Sequence, residues 1–339
     1  MSTKAWTISE LDFPRMATIA EQLQFLLRYA ILAPSGHNSQ PWLFRIQGET
    51  LELHADRSRA LPVVDPQDRE LIISCGAALF NLRVALWHFG YTDRVKLFPD
   101  PANPDWLACL SAGSWKTATP EEEALFQAIL QRHTNRQIFT GQPVPLPLLL
   151  PLHTAANQEG GGLELVLDGE EQAKIAGLIA EGDRLQMANA HFRRELAAWI
   201  HANRSRSRDG MPGYAHGIGD LLSYASPLVI RTFDLGNAQA AKDQELARHS
   251  PALAILYTDE DTPQDWLAAG QALERVLLQA QASGLAVSYL NQPIEVPHLR
   301  TQLTQILGRS TFPQLLLRLG YGTAVKPTPR REVQEVLLD

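Results

Sequence analysis

The stretch LAPSGHNSQPW, Leu32 to Trp42, gathers polar side chains into a turn between an apolar, helix-like run and an alternating, strand-like one. Ser35, His37, Asn38 and Gln40 stand between Pro34 and Pro41, with Gly36 among them. That set suits flat, multi-point polar contact rather than a single catalytic group. Two readings fit it. One is a tight loop closed by Asx- or Ser-turn hydrogen bonds. The other is a shelf under a planar heterocycle, whose edge alternates donors and acceptors.

A second stretch, QRHTNRQIF, carries charge. Arg132 and Arg136 are four residues apart where a helix is expected to end, a spacing that can put both guanidiniums on one side. Arginine forks match phosphate oxygens, and His133, Thr134 and Asn135 add further donors. The plainer reading is a solvated basic helix end that complements the helix dipole. Near the C-terminus TPRRE offers Arg330 and Arg331, either a third basic contact or a charged tail. A shelf for an isoalloxazine ring and a clamp for a phosphate together describe a flavin site at the junction of two parts of the chain.

The elements that would position these residues follow from pattern. ATIAEQLQFLLRYAIL is a helix ending before Pro34, and PWLFRIQ and LELHAD form a hairpin at Gly48. RELIISCGAALFNLRVALWHFG is a long buried helix closed by Gly90. RVKLFP and DWLACLSAG are strands, and TPEEEALFQAILQ opens a helix with acidic residues in its first turn. Later helices are expected at EEQAKIAGLIAEGDRLQMAN, AHFRRELAAWIHAN, PQDWLAAGQALERVLLQAQASG and VPHLRTQLTQIL, and strands at SPLVIRTFD, SPALAILYTD, LAVSYLN and FPQLLLRLGYG. RSRSRDGMPGYAHGIGD is a loop. The segments Gly76–Gly90 and Gly270–Gly284 share Gly-x-Ala-Leu and a closing glycine at equal spacing, each followed by a strand. An α+β chain of two related halves follows, residues 1–118 and residues 119–339, with these two helices as the central interface and Ala77 and Ala78 permitting close approach.

Composition bounds the rest. The chain has 339 residues, 45% hydrophobic and 20% charged, with net charge -7. This is globular composition with enough apolar residues for a sizeable core. The negative balance argues against non-specific nucleic-acid binding, and no apolar run reads as long enough to span a bilayer. The N-terminus lacks an apolar leader, so a cytoplasmic location is expected. Cys75 and Cys109 read as buried free thiols, and the histidines show no metal-ligand spacing.

The sequence resembles the nitroreductase family of FMN-dependent enzymes. APSGHNSQPW is similar to that family's flavin-contacting segment and RHTNRQIF to its phosphate-binding segment. SGLAVSYLNQP resembles the strand and loop that pass the flavin face, TPRRE the basic C-terminal segment, and DLLSYASPLVI a strand entering the core. By this resemblance the ring contacts are Pro34, Ser35, Gly36 and Asn38, with Tyr289, Leu290 and Asn291 opposite. The phosphate and ribityl contacts are Arg132, His133, Thr134 and Arg136, assisted by Arg330 or Arg331. Asn291 stands where many relatives carry an acidic residue.

In family members the phosphate segment precedes the shelf; here it follows. That order implies both subunits of a dimer in tandem, an intramolecular pseudo-dimer with a shortened first half. A second site would need an arginine clamp before Ala33, where AWTISELDFPRMATIAEQLQ offers only Arg15, and a second shelf after Phe139, which LLLPLHTAANQEGGGLELVL lacks. One site per chain is expected, with no obligate partner. The resemblance implies ping-pong hydride transfer from NAD(P)H through flavin N5 to a small nitroaromatic or quinone acceptor, with no catalytic side chain and no Rossmann fingerprint. The alternative is an FMN-binding protein that sequesters flavin, with the loop 204–220 folded over it as a lid; that loop also reads as solvated surface, or as an attractant for the phosphate of NADPH.

Overall fold

The computed structural model describes residues 4–308 and 310–338. In chain order the first elements are α1 (Ile19–Ala30), β1 (Trp42–Gln47), β2 (Thr50–Ala55), α2 (Arg69–His88), β3 (Tyr91–Leu97) and β4 (Trp106–Trp115). There follow α3 (Pro120–Ile129), α4 (Leu146–Gln158), β5 (Gly162–Val166), α5 (Gly169–Ala188), α6 (Ala190–Ala198), β6 (Ile200–His201) and β7 (Met211–Pro212). The chain then forms α7 (Asp220–Thr232), α8 (Gly236–Arg248), β8 (Ala252–Thr258), α9 (Pro263–Ala282), β9 (Ala286–Tyr289), α10 (Gln292–Glu295), α11 (Pro297–Leu307) and β10 (Phe312–Gly320).

Two four-stranded antiparallel sheets carry the fold, in the orders β1-β2-β4-β3 and β5-β8-β10-β9. Each has the same topology: first strand, second, fourth, third. In each a long helix separates the second strand from the third, α2 in one case and α9 in the other. A helix precedes the first strand in both, α1 and α4. The repeated Gly-x-Ala-Leu helices are therefore equivalent elements of two equivalent sheets.

Local signals start these helices. Thr18 with Glu21, Thr119 with Glu122, and Thr262 with Asp265 form reciprocal capping boxes, and Pro120 and Pro263 occupy first-turn positions where no N–H is needed. α2 is apolar nearly all round, which is the pattern of a helix with no solvent face. By length and composition it could cross a membrane, contrary to the reading of the sequence, but 89% of its apolar window is buried inside the protein. It packs on α9, and Leu79, Phe80, Leu273 and Leu277 belong to the same core.

Three features depart from expectation. DLLSYASPLVI is helix α7 rather than a strand, with Pro227 inside it. LPLLLPLHTAANQ, to which its pattern assigns no element, is helix α4 despite Pro151, because Leu149, Leu152, Ala155 and Ala156 bury one face. Cys75 is buried as expected, while Cys109 is half-buried.

Two long-range returns of the chain build the site. Phe44 N–H donates to Val336 O at 2.7 Å and Leu338 N–H donates to Phe44 O at 2.7 Å, so the C-terminal segment lies along β1. This carries Arg330 and Arg331 back to the first sheet. The segment after α3 pairs with β9 through a Thr134–Val287 bridge, with Asn135 N–H donating to Val287 O at 3.0 Å.

Candidate functional site

The turn after α1 is bent by its own backbone. His37, Asn38 and Gln40 all have left-handed φ, at 50°, 55° and 54°. For non-glycine residues that conformation is uncommon and persists where the surroundings enforce it. The enforcing contacts are explicit. Ser35 Oγ accepts from Gln40 N–H at 2.9 Å, and Asn38 Nδ2 donates to Gly210 O at 2.8 Å and Pro329 O at 3.1 Å. Arg330 Nη1 donates to Asn38 Oδ1 at 2.8 Å. Gln40 Nε2 donates to Arg208 O at 2.9 Å, and Arg331 N–H donates to Gln40 Oε1 at 2.8 Å. The amides of Asn38 and Gln40 thus fasten the turn to the segment 204–220 and to the C-terminal tail. Pro34, Ser35, Gly36 and His37 are left facing a cavity of about 620 Å³.

The basic residues converge beside it. Arg132 and Arg330 are 5% and 4% exposed, and both donate to Leu32 O, at 3.2 and 3.1 Å. Arg132 Nε lies 3.5 Å from Glu274 Oε1, the one carboxylate paired with this group among the described residues. Burial pushes Glu274 up to about 7, against the pull of Arg132 and Arg330, so near neutral pH its negative charge is incomplete. Burial, then the charge of Arg132, lowers Arg330 to about 9. His133 is driven down to about 3 by burial and by Arg132. Arg136 faces the cavity with Nη2 3.8 Å from Met211 Sδ, and no carboxylate pairs with it among the described residues. Arg132 Nε, Arg330 Nε, His133 Nδ1 and Tyr289 OH are buried without hydrogen-bond partners. Buried donors without acceptors are costly. Here the two arginine nitrogens are cationic donors and the Tyr289 hydroxyl a neutral one, set around a space, which fits a bound anion.

Of the residues singled out from sequence, Pro34, Ser35, Gly36, Asn38, Thr134, Arg136, Tyr289, Leu290, Asn291 and Arg330 line the large cavity. Arg132 and His133 line a small adjoining recess together with Thr134, Arg136 and Arg330. Arg331 lines neither; its guanidinium donates to Gln40 O at 3.0 Å and lies 3.6 Å from Asp56, bracing the turn from behind. Leu290 N–H donates to Leu316 O, and Asn291 Oδ1 accepts from Leu316 N–H at 3.0 Å, so both hold the end of β9 in place.

The sequence reading missed a further set. His216 and Lys242 enter the cavity wall, as do Glu70, Asp183, Asp243 and Glu295. His37 and His216 are pushed down to about 4 and about 3, by burial first and then by Arg136, and are therefore neutral imidazoles. Asp183 carried a visible signal: it continues the apolar stripe Ile175, Ile179 at helical spacing, an odd place for a carboxylate.

The sequence profile of the nitroreductase family matches residues 129–321. The chain belongs to that family. Among its relatives is "Putative NAD(P)H nitroreductase Rv3131" of Mycobacterium tuberculosis, 32% identical over 325 residues, covering 94% of this chain and 91% of that one. "Probable NAD(P)H nitroreductase PigM" of a Serratia species is 24% identical over 348 residues, covering 94% of each. Solved structures with some likeness include iodotyrosine deiodinase bound to FMN and 3-iodo-L-tyrosine (16% identity, 61% of this chain and 95% of that one, TM-score 0.41). Another is the FMN- and NADPH-dependent nitroreductase NfnB of a Sphingopyxis strain (19% identity, 63% and 97%, TM-score 0.42). As a member of the nitroreductase family the chain is an oxidoreductase.

Proposed function

We propose that the cavity holds FMN and that the protein is an NAD(P)H-dependent flavin oxidoreductase acting by a ping-pong cycle on a small nitroaromatic or quinone acceptor. The observation that carries this is the group Arg132, Arg136 and Arg330, buried or turned into the cavity with orphaned donors and only one incompletely charged carboxylate among them. A phosphate supplies the missing negative charge and acceptor oxygens. The volume of about 620 Å³ lies within the range of cofactor pockets.

In this reading Arg132, His133, Thr134, Arg136 and Arg330 hold the phosphate and ribityl chain, with Arg136 also bordering the main cavity. Pro34, Ser35 and Gly36 form one wall of the ring site, and Tyr289 and Leu290 the other. Bound FMN supplies hydride acceptance and donation. The protein's part is orientation and charge: Arg136 offers a fixed positive group, and the neutral His37 and His216 offer dipoles without a second cation. The wall contributed by α7 and Leu246 is largely apolar. The two sheets of equal topology support a fused pair, residues 1–118 giving the shelf and residues 119–339 the clamp. NAD(P)H and the acceptor are the partners in this account, and no second chain is needed to complete the site.

One observation favours a second reading, in which flavin is held and turned over slowly. The segment 204–220 is tied down at both sides: Gly210 N–H donates to Asn38 O at 3.2 Å, and Tyr214 OH donates to Pro327 O at 2.8 Å. Met211, His216 and Ile218 thereby cover the cavity. The two readings part on whether NADPH reduces the bound flavin; the binding itself is tested by titrating apoprotein with FMN and following flavin fluorescence.

A further inference from the structure

The cavity has a second polar end, built by three helices remote in sequence. Asp183 of α5 and Asp243 of α8 are 3% and 6% exposed and both line it. Gln292 of α10 bridges them, Nε2 donating to Asp183 Oδ1 at 3.1 Å and to Asp243 Oδ2 at 2.8 Å. Gln239 Nε2 also donates to Asp243 Oδ2, at 2.8 Å. Gly182 permits this approach, since a Cβ there would lie 2.7 Å from Gln292 Cβ. Asp183 Oδ2 is buried and has no partner. No cation pairs with either carboxyl within ion-pair distance among the described residues; Lys242 and Arg318 act on Asp243, and Arg184 on Asp183, only from farther off.

We propose that Asp183, held beside Asp243 by the Gln292 bridge in the cavity wall, is the acid that gives the electron acceptor its proton. This deepens, and rests on, the oxidoreductase reading of the same cavity. A quinone needs two electrons and two protons to become a hydroquinone. Hydride originating from NAD(P)H brings both electrons and one proton, and the Asp183 carboxyl gives the other to the acceptor oxygen. For a nitro group the same count gives a nitroso product and water. Asp183 then takes its proton back from solvent.

The environment supports this. Burial, then the charge of Asp243, pushes Asp183 up to about 8. Acting on it are Asp243 from α8, Glu295 from α10 and Arg184 on α5 itself, while Lys242 of α8 and Arg318 of β10 act on Asp243, whose own carboxyl burial pushes up. On α6, Arg193 is turned to the carbonyl of Met187, and on α11, Arg300 is paired with Asp261. Glu295 is itself pushed up to about 7 by burial, so it adds little negative charge below that pH.

The test has two parts. In ligand-free protein at pH 7, infrared difference spectra between wild type and Asp183→Asn should show a protonated-carboxyl band that titrates away near pH 8. In protein loaded with FMN and reduced by NADPH, reoxidation by 1,4-benzoquinone should slow roughly a hundredfold in Asp183→Asn. It should also lose the alkaline limb and the solvent deuterium effect of the wild type. Asp243→Asn, which removes the neighbouring charge, should move both the band and the limb to lower pH. An ionised Asp183 at pH 7, or a variant that keeps the wild-type limb and isotope effect, overturns the proposal. A protein that takes up no FMN refutes the cofactor reading instead, and the infrared titration still reports on the acid.

Discussion

Gly76 of α2 and Gly270 of α9 face each other where the two central helices cross. A Cβ on Gly76 would lie 2.9 Å from Gly270 Cα, and one on Gly270 would lie 2.8 Å from Gly76 Cα. The obstacle on each side is backbone, which cannot swing aside. Alanine at either position gains about 1 kcal/mol of helix propensity. Overpacking against a fixed neighbour costs about 1–3 kcal/mol. Gly270→Ala is therefore expected to lower stability despite its better propensity, seen as a lower denaturant midpoint at unchanged slope.

Arg136 is expected to show opposite effects on stability and binding. Its charge faces the cavity without a carboxylate partner, which burdens the empty protein. Arg136→Met keeps the side-chain bulk and removes that charge. Apoprotein melting temperature should rise or hold, while FMN affinity should fall by about 1.5–3 kcal/mol, the worth of a charge-assisted hydrogen bond. Calorimetry with and without FMN measures both.

Glu274 carries a pH signature. Its folded value, about 7, is raised above that of an unfolded glutamate, so between these values the folded state binds more protons. Stability contributed by this group is full at acid pH and is lost as pH rises through about 7. Glu274→Gln should flatten the decline of melting temperature between about pH 4.5 and 7, relative to wild type. An unchanged slope would mean the carboxyl is fully ionised in the fold.

Gly210 holds the segment 204–220 on the shelf. Its φ is +67°, and a Cβ there would collide with His201 and lie 2.7 Å from Trp199 O. Gly210→Ala is expected to unseat the segment. Limited proteolysis should then cut within residues 204–220 faster than in wild type, and FMN should dissociate faster.

The shelf, the arginine segments and the paired glycine helices were legible because each is local: turn chemistry, charge spacing and a repeat are written in consecutive residues. The errors arose where tertiary packing overrides local signals. SPLVIRTFD looks like a strand because of its β-branched residues and because its proline counts against a helix interior, yet Leu222, Ser226, Val229 and Ile230 fall at helical spacing along the cavity wall. Helix α8 buries only a narrow stripe, including Gly236, Ala240 and Leu246, too little apolar patterning to announce it. Asp183 interrupts an apolar stripe, but its pairing with Asp243 could not be read, since α5, α8 and α10 meet only in the fold. The role of Asn38 and Gln40 also had to come from the structure: a polar side chain in a turn looks the same whether it greets a ligand or ties down a neighbouring loop.

If the arginine-lined cavity holds a flavin that NAD(P)H can reduce, the bound flavin itself reports it. The most direct measurement is the visible spectrum of the purified protein reconstituted with FMN, followed without oxygen as NADPH is added. A bound-flavin spectrum that bleaches within the mixing time or shortly after is the predicted result. Bound flavin that stays oxidised would contradict the reductase account and leave the covered, flavin-holding one. No bound flavin after reconstitution would contradict both.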